Sequence, residues 1–424
     1  DNKYPGSASY RTDASNLITD DPKYRYDPFW SVGAAWQIWK EKFFNVDFID
    51  RLTVRATFGV NGNVDRSTSF MPLLNVATAP NAYTNEQTAS ISSFGNPTLR
   101  WEKTATTNLA FDYSMLKGKL FGRLEFYNRS GKDLLATISI PAVNGTASQK
   151  INNAAMVNKG VELEIGTVQD ISKNVSWRGS LNFSYNHNRI TDLFVSTYAA
   201  SSLYPGGTAA FVEGYDANAL WVFQYAGVQN NQPVVKGAHG AYYDLTAWTP
   251  GDGRDYMTAP GTRVAPYTLG MINSFNINDF TVSFIVTGKF GHVFKRTGFN
   301  YPVTWTGRVL PNKMVGEIMG HDGSKMVPLP LNQNEPRFYF WDRFYPYMDY
   351  LVESASHIRM QEVNVTYRLK KAALQKLGLG GLQFYAQGND LFTIKANKFG
   401  EDPDYPIGGL KPQTRFTFGF KLDL

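Results

Sequence analysis

The chain has 424 residues, 43% of them hydrophobic, with 42 Lys and Arg against 36 Asp and Glu. This composition excludes a disordered polymer, and a net charge of +6 is too small to argue for nucleic acid. Cysteine is absent, which excludes a disulfide scaffold, Cys-ligated zinc, an iron–sulfur cluster and a thiol nucleophile.

Taken in chain order, residues 1–10 (DNKYPGSASY) read as a loop, and no charged-then-apolar leader is present. The first strand is expected near 29–38 and the second near 51–61, where Leu52, Val54, Ala56, Phe58 and Val60 alternate with Arg51, Thr53, Arg55 and Thr57. Strands follow near 101–113, 119–135, 157–170 and 175–190. In the last of these, Val175, Trp177, Leu181, Phe183 and Tyr185 share one face, and Ser176, Arg178, Ser180 and Asn182 the other. Further strands are expected near 208–214, 219–227, 268–276, 280–289, 358–369, 382–391 and 414–424, thirteen in all. The final one sets Phe416, Phe418, Phe420 and Leu422 against Arg415, Thr417 and Lys421. No apolar run reaches the length of a membrane-crossing helix.

Alternation alone fits a soluble sandwich or propeller as well as a transmembrane barrel. Three features favour the barrel. The strands at 101–113, 119–135 and 175–190 exceed ordinary soluble length. The wet faces are charged, with Arg123, Glu125 and Arg129 on one strand and Glu162 and Glu164 on another, which suits a watery or plugged interior. Tight or modest connections at 39–50, 114–118, 171–174, 215–218, 277–279 and 370–381 alternate with long ones. That is the pattern of short periplasmic turns and long external loops. With thirteen strands, parity places residue 1 inside an external loop, so the chain is expected to be the C-terminal portion of a larger barrel.

Three segments resemble SusC/RagA-type TonB-dependent transporters of the Bacteroidota. They are Asn96–Leu135 (NPTLRWEKTATTNLAFDYSMLKGKLFGRLEFYNRSGKDLL), Asn158–Glu164 (NKGVELE) and the stretch from Ala355, with ASHIRMQEVNVTYRLKKAALQKLGLGGLQFYAQGNDLFT. The first is similar to the family's NPxLxWE and YxxxxxDLL region, the second to its N+GVEL strand. The third is similar to the strand, basic turn and NLFT strand near its C-terminus. The chain ends in Leu424, where such strands often finish with an aromatic.

The resemblance implies an all-β, up-and-down transmembrane barrel, with about thirteen of 22 strands present and the plug domain elsewhere. It also implies the outer membrane and its lipid as surroundings, no enzymatic activity and no cofactor. The implied partners are the remaining N-terminal part of the same transporter, TonB through a TonB box outside this chain, and a SusD-like surface lipoprotein. The implied cargo is an oligosaccharide or a peptide.

No enzyme signature is present: the five histidines, His187, His239, His292, His321 and His357, lack ligand spacing. In TPGDGRDYMTAPG (249–261), Asp252 and Asp255 read as a solvated loop rather than a calcium cage. The loops hold the candidate binding residues. Tyr242, Tyr243 and Trp248 cluster in one, and Trp305, Arg337, Trp341, Asp342 and Arg343 lie in another beside Tyr301, Phe338, Tyr339, Phe340, Tyr345 and Tyr347. Such aromatic loops bind substrate, sit under a lid protein, or pack on themselves as a cap. Arg337, Asp342 and Arg343 supply polar selectivity or a plain ion pair. Trp30, Trp36, Trp101, Trp177 and Trp221 are expected in a membrane-interface girdle.

Overall fold

A computed structural model describes the chain except at residues 1, 20, 66–67, 140–142, 144–147, 194, 196–197, 205–210, 230–231, 245–250, 298–337, 339–342, 370–373, 375–379, 406–408 and 424. One sheet holds twelve strands in chain order. They are β1 (Gly6–Ala14), β2 (Tyr26–Gln37), β3 (Ile49–Asn63), β4 (Glu102–Met115), β5 (Leu120–Ser139), β6 (Ser148–Ser172), β7 (Val175–Leu193), β8 (Tyr267–Ile277), β9 (Phe280–Phe290), β10 (His357–Arg368), β11 (Gly381–Lys395) and β12 (Arg415–Asp423). The meander is the up-and-down topology that the alternation predicts. Among the described residues, no helix is long and apolar enough to cross a membrane.

The count differs from thirteen in three places. Residues 6–10, expected as loop, open β1, which pairs antiparallel with β2 from Gly6↔Ala34 to Ala14↔Tyr26. Its alternation is masked because the stretch GSASYRTDA is built mostly from small and polar residues. The expected strand at 208–214 is absent where described: Val212 is buried, and Gly214 adopts φ +86° as its N–H donates to the Ile190 carbonyl. The expected strand at 219–227 breaks into the short pieces Val222–Phe223 and Tyr225–Gln229, outside the large sheet. Its sequence is continuously apolar from Ala219 to Phe223, and all five residues are buried. That is the signature of a core segment rather than of a two-faced strand.

With twelve strands the parity argument for residue 1 fails. The carbonyls of Lys3 and Pro5 accept hydrogen bonds from the N–H groups of Gln37 and Ala35, at the end of β2 that leads into 38–48. Glu41 in that connection accepts from Lys3 (3.3 Å) and from the Tyr4 hydroxyl. Lys3, Tyr4 and Pro5 therefore stand beside that connection. The connections sort into two alternating sets. One comprises 38–48, 116–119, 173–174, 278–279 and 369–380; the other comprises 15–25, 64–101, 140–147, 194–266, 291–356 and 396–414.

The chain divides into two compact units, 1–168 with 184–196 and 211–217, and 169–183 with 197–210 and 218–424. In the first unit, register aligns Leu109 with Phe126, and both are exposed, as are Trp30 and Val32. The opposite face carries charge: Asp112 lies across from Arg123, Arg123 from Glu164 and Glu125 from Glu162. A small core of Ile18, Phe29 and Trp101 closes one end, with Trp101 edge-on to Phe29 at 5.3 Å. Trp101 is thus buried rather than part of a girdle. Gly62 is required there, because a Cβ would come within 2.0 Å of the Phe29 ring.

In the second unit, Phe384 lies across from Phe420 and Ala386 from Phe418, with Phe384, Phe416, Phe418 and Phe420 exposed. A soluble sandwich would cover these rings. Left bare at alternate positions, they define a face made for hydrocarbon. Trp177 stacks on Phe275 at 6.1 Å and donates its indole N–H to Asn273 Oδ1 at 2.8 Å.

Candidate functional site

In the second unit the long connections fold onto themselves. Val222 and Phe223 pair with Met257–Thr258, and Tyr225–Gln229, Gln232–Lys236 and Tyr242–Asp244 form a three-stranded sheet. Phe223 is fully buried between Tyr256, 6.2 Å away and stacked, and Phe344, 5.5 Å away and edge-on. Tyr204 meets Tyr347 at 4.4 Å, and Tyr350 meets Tyr225 at 5.6 Å. The Tyr225 N–H also donates to Asp349 Oδ1 at 3.2 Å, and burial raises the pKa of Asp349. Trp221 is buried here, away from any interface girdle.

Much of the loop aromatic content is therefore spent on self-packing. Of the expected binding residues, Tyr242 is exposed, while Tyr243 lies against Tyr256 at 5.1 Å. Arg343 is exposed, near enough to Tyr204 for its charge to act on that hydroxyl. Trp248, Trp305, Arg337, Trp341 and Asp342 lie outside the described residues. Asp252 caps the short turn Gly253–Asp255, accepting from the Arg254 N–H at 2.9 Å and pairing with its guanidinium at 2.6 Å.

Beside this cap is a cavity of about 540 Å³ lined by Tyr204, Tyr347, Arg263, Lys289, His292 and Lys295, with Asp404 on one wall. Lys295 lies over the Tyr347 ring at 4.2 Å, and burial lowers the pKa of its ammonium. A second cavity, of about 290 Å³, shares Lys289 and Asp404 and adds His357, Arg359, Lys411 and Tyr405.

An ion-pair network joins the two. Lys289 Nζ is 3.1 Å from Asp404, His357 Nε2 3.2 Å and Arg359 3.1 Å. Arg359 also grips Asp402 with both of its terminal nitrogens. Burial works to raise Asp404, but Lys289, His357 and Arg359 outweigh it and hold the carboxyl below its ordinary range. Asp402 is lowered in the same way, burial being overcome chiefly by Arg359. The buried His292 is depressed to about 4, by desolvation first and by the neighbouring His357 second.

The strands supply the cations at wet-face positions: Lys289 is the penultimate residue of β9, and His357 and Arg359 lie in the first three residues of β10. The acids come from the 396–414 connection, held shut by Asn397, whose side chain bonds the backbone N–H and carbonyl of Glu401. Sequence reasoning missed this cluster. The available signal was the alternation of His357, Arg359 and Gln361 with Ile358 and Met360. The site can hold an anionic group and press rings against a flat one.

A twelve-strand meander with one hydrocarbon-facing side and one charged side defines an outer-membrane β-barrel protein. Residues 4–292 match the family described as TonB dependent receptor-like, beta-barrel, and the chain belongs to that family. It is 28% identical to TonB-dependent receptor P26 of Formosa agariphila, over 90% of this chain and 39% of that protein. It is 30% identical to TonB-dependent receptor SusC of Bacteroides thetaiotaomicron, over 55% of this chain and 25% of that one. The solved structure of the RagAB peptide transporter superimposes on all of this chain and 46% of its own, with TM-score 0.75 and 22% identity. The chain spans less than half the length of these relatives.

Proposed function

We propose that these residues are the C-terminal portion of the barrel of a TonB-dependent importer, which takes up oligosaccharides or peptides together with a SusD-like surface lipoprotein. The observation that carries this reading is the cation-rich cavity walled by Tyr204 and Tyr347, built by long connections on a barrel of this family. Rings of this kind stack on sugar or peptide planes, and Arg263, Lys289 and Lys295 suit a carboxylate on either cargo. The names of the relatives, receptors described as TonB-dependent, support the energy source.

A lipoprotein partner is supported by the hairpin Leu73–Val76/Ala89–Ser93, whose Leu73, Leu74, Val76 and Ile91 are all exposed. Such a patch in a loop calls for a dry partner. On this reading the plug and the segment that contacts TonB belong to other parts of the full-length transporter.

The test is uptake of fluorescent oligosaccharides and peptides by cells carrying the full-length protein. Uptake that stops when the inner-membrane proton gradient is collapsed is the expected result. A pore that conducts cargo passively in planar bilayers overturns the reading. Leu74→Asp with Ile91→Asp should reduce recovery of the lipoprotein with the barrel.

A further inference from the structure

The hydrocarbon-facing side of the first unit is interrupted by a basic concavity. A hollow of about 360 Å³ is lined by Asn128, Ser130, Lys159, His187, Arg189 and Thr191, with Val157 at its edge. These residues continue the dry faces of their strands. Register aligns Phe126 with Val161, and the next pair on the same face is Asn128 with Lys159. On β7, His187 and Arg189 follow Phe183 and Tyr185 at the same period of two. An apolar band therefore gives way within two residues, about 7 Å along the strand, to a cluster of basic and hydroxyl groups.

The direction of this change is fixed by connectivity. β5 leaves the tight 116–119 turn and runs towards 140–147, and β6 returns to the tight 173–174 turn. Lys159, His187 and Arg189 thus lie on the side of the apolar band away from the tight turns. In a barrel whose short turns are periplasmic, that is the outer leaflet. All three side chains are exposed, and among the described residues none of them has a hydrogen bond or ion pair; the hollow contains no carboxylate. On the wet face of the same unit, Arg55 and Arg123 are by contrast paired with Asp112. Bare cations on a lipid-facing wall just above hydrocarbon need an anion from the membrane itself.

We propose that Lys159, His187 and Arg189, with the hydroxyl and amide groups of Ser130, Thr191 and Asn128, form a site for the phosphate group of an outer-leaflet glycolipid. The acyl chains would lie along Phe126, Val161 and Tyr185, so one molecule meets the hollow and the band together. This inference rests on the membrane placement of the barrel and not on what the protein imports.

The experiment is native mass spectrometry of the full-length protein in detergent, with monophosphorylated lipid A and its dephosphorylated form as probes. The phosphorylated form should be retained at least tenfold better. Lys159→Gln with Arg189→Gln should remove that preference, at roughly fivefold for each charge, while Arg189→Lys keeps most of it. Heat-modifiable gel mobility reports whether each variant folds. Should the double variant fail to fold, the preference in the unaltered protein must still decline steadily with added sodium chloride. Equal retention of both lipids, a preference that survives the double substitution, or a preference indifferent to salt overturns the proposal. Full displacement by millimolar inorganic phosphate also overturns it, by assigning the hollow to a free anion.

Discussion

Two charged clusters on the strands are built differently. In the first unit, Arg55, Asp112 and Arg123 all come from neighbouring strands, and their side chains keep 36%, 30% and 49% of their exposure. Strand register alone brings them together, and water screens them. In the second unit, strand cations meet acids from a connection, and the central pair Arg359 and Asp402 keeps only 13% and 6%. Where both partners are strand residues, the sheet holds the charges. Where one partner is a loop residue, the charges hold the loop, and desolvation makes a missing partner expensive.

The sharpest way to break this comparison is Arg359→Met in the full-length protein. Asp402 would be left desolvated and without its main cation, at a cost of about 3–5 kcal/mol to the folded 396–414 connection. Hydrogen exchange should rise there by orders of magnitude and stay unchanged in 102–135. Uniform exchange across the protein would mean that the network does not pin the loop.

Acid provides the next test. His292 is depressed from 6.5 to about 4, so the folded form prefers it neutral. Below pH 6.5 the unfolded segment binds the proton first, and stability falls progressively until pH is about 4. The full loss is on the order of 2–3 kcal/mol. Asp402 and Asp404 act in a lower window. Their pKa values are below the ordinary 3.8, so their contribution is complete above that pH and is lost as pH falls through the folded values. Exchange should therefore loosen near Val293–Lys295 in mild acid and at 396–414 only in strong acid. His292→Gln should abolish the first step and spare the second.

Close packing in the first unit should outweigh its charges. Gly160 on β6 has no room for a side chain: a Cβ would stand 2.4 Å from the Tyr127 ring and 2.4 Å from the Tyr185 carbonyl oxygen. The ring can turn, but the backbone oxygen cannot. Gly160→Ala should cost about 1–3 kcal/mol, read as a lower temperature of loss of heat-modifiable mobility.

The legible part of this molecule is what period two records. Eleven of the thirteen expected strands have counterparts in β2 to β12, because an apolar face that meets lipid must alternate strictly with a wet one. One expected stretch, 101–113, reached the sheet as β4 while its leading Trp101 turned into a core. β1 escaped notice because Gly6, Ser7, Ala8 and Ser9 give no contrast between faces. The segment at 219–227 misled because strand-forming residues buried on both sides read like a strand. The candidate site was harder still. Tyr242, Tyr243 and Arg343 were visible as loop residues, but nothing local distinguishes a ring that packs on Tyr256 from one that waits for cargo. The Lys289–Asp404 pair joins residues 115 apart, and no pattern within either segment announces the other.

The smallest expected effect is the most direct check on the opening contrast. Asp112 accepts from Arg55 at 2.6 Å and from Arg123 at 2.7 Å, which on distance alone is a stronger arrangement than the one around Asp404. Yet its partners are already aligned by strand register, Arg123 directly opposite on β5 and Arg55 on β3 opposite Ala110, and solvent reaches all three side chains. Asp112→Asn keeps the shape and removes the charge, so the loss should be at most about 1 kcal/mol and should shrink further in 0.5 M salt. Chemical denaturation of the purified barrel at low and high salt measures it. A loss as large as that of Arg359→Met would mean that shared burial, not the origin of the partners in strand or loop, decides which ion pairs matter here.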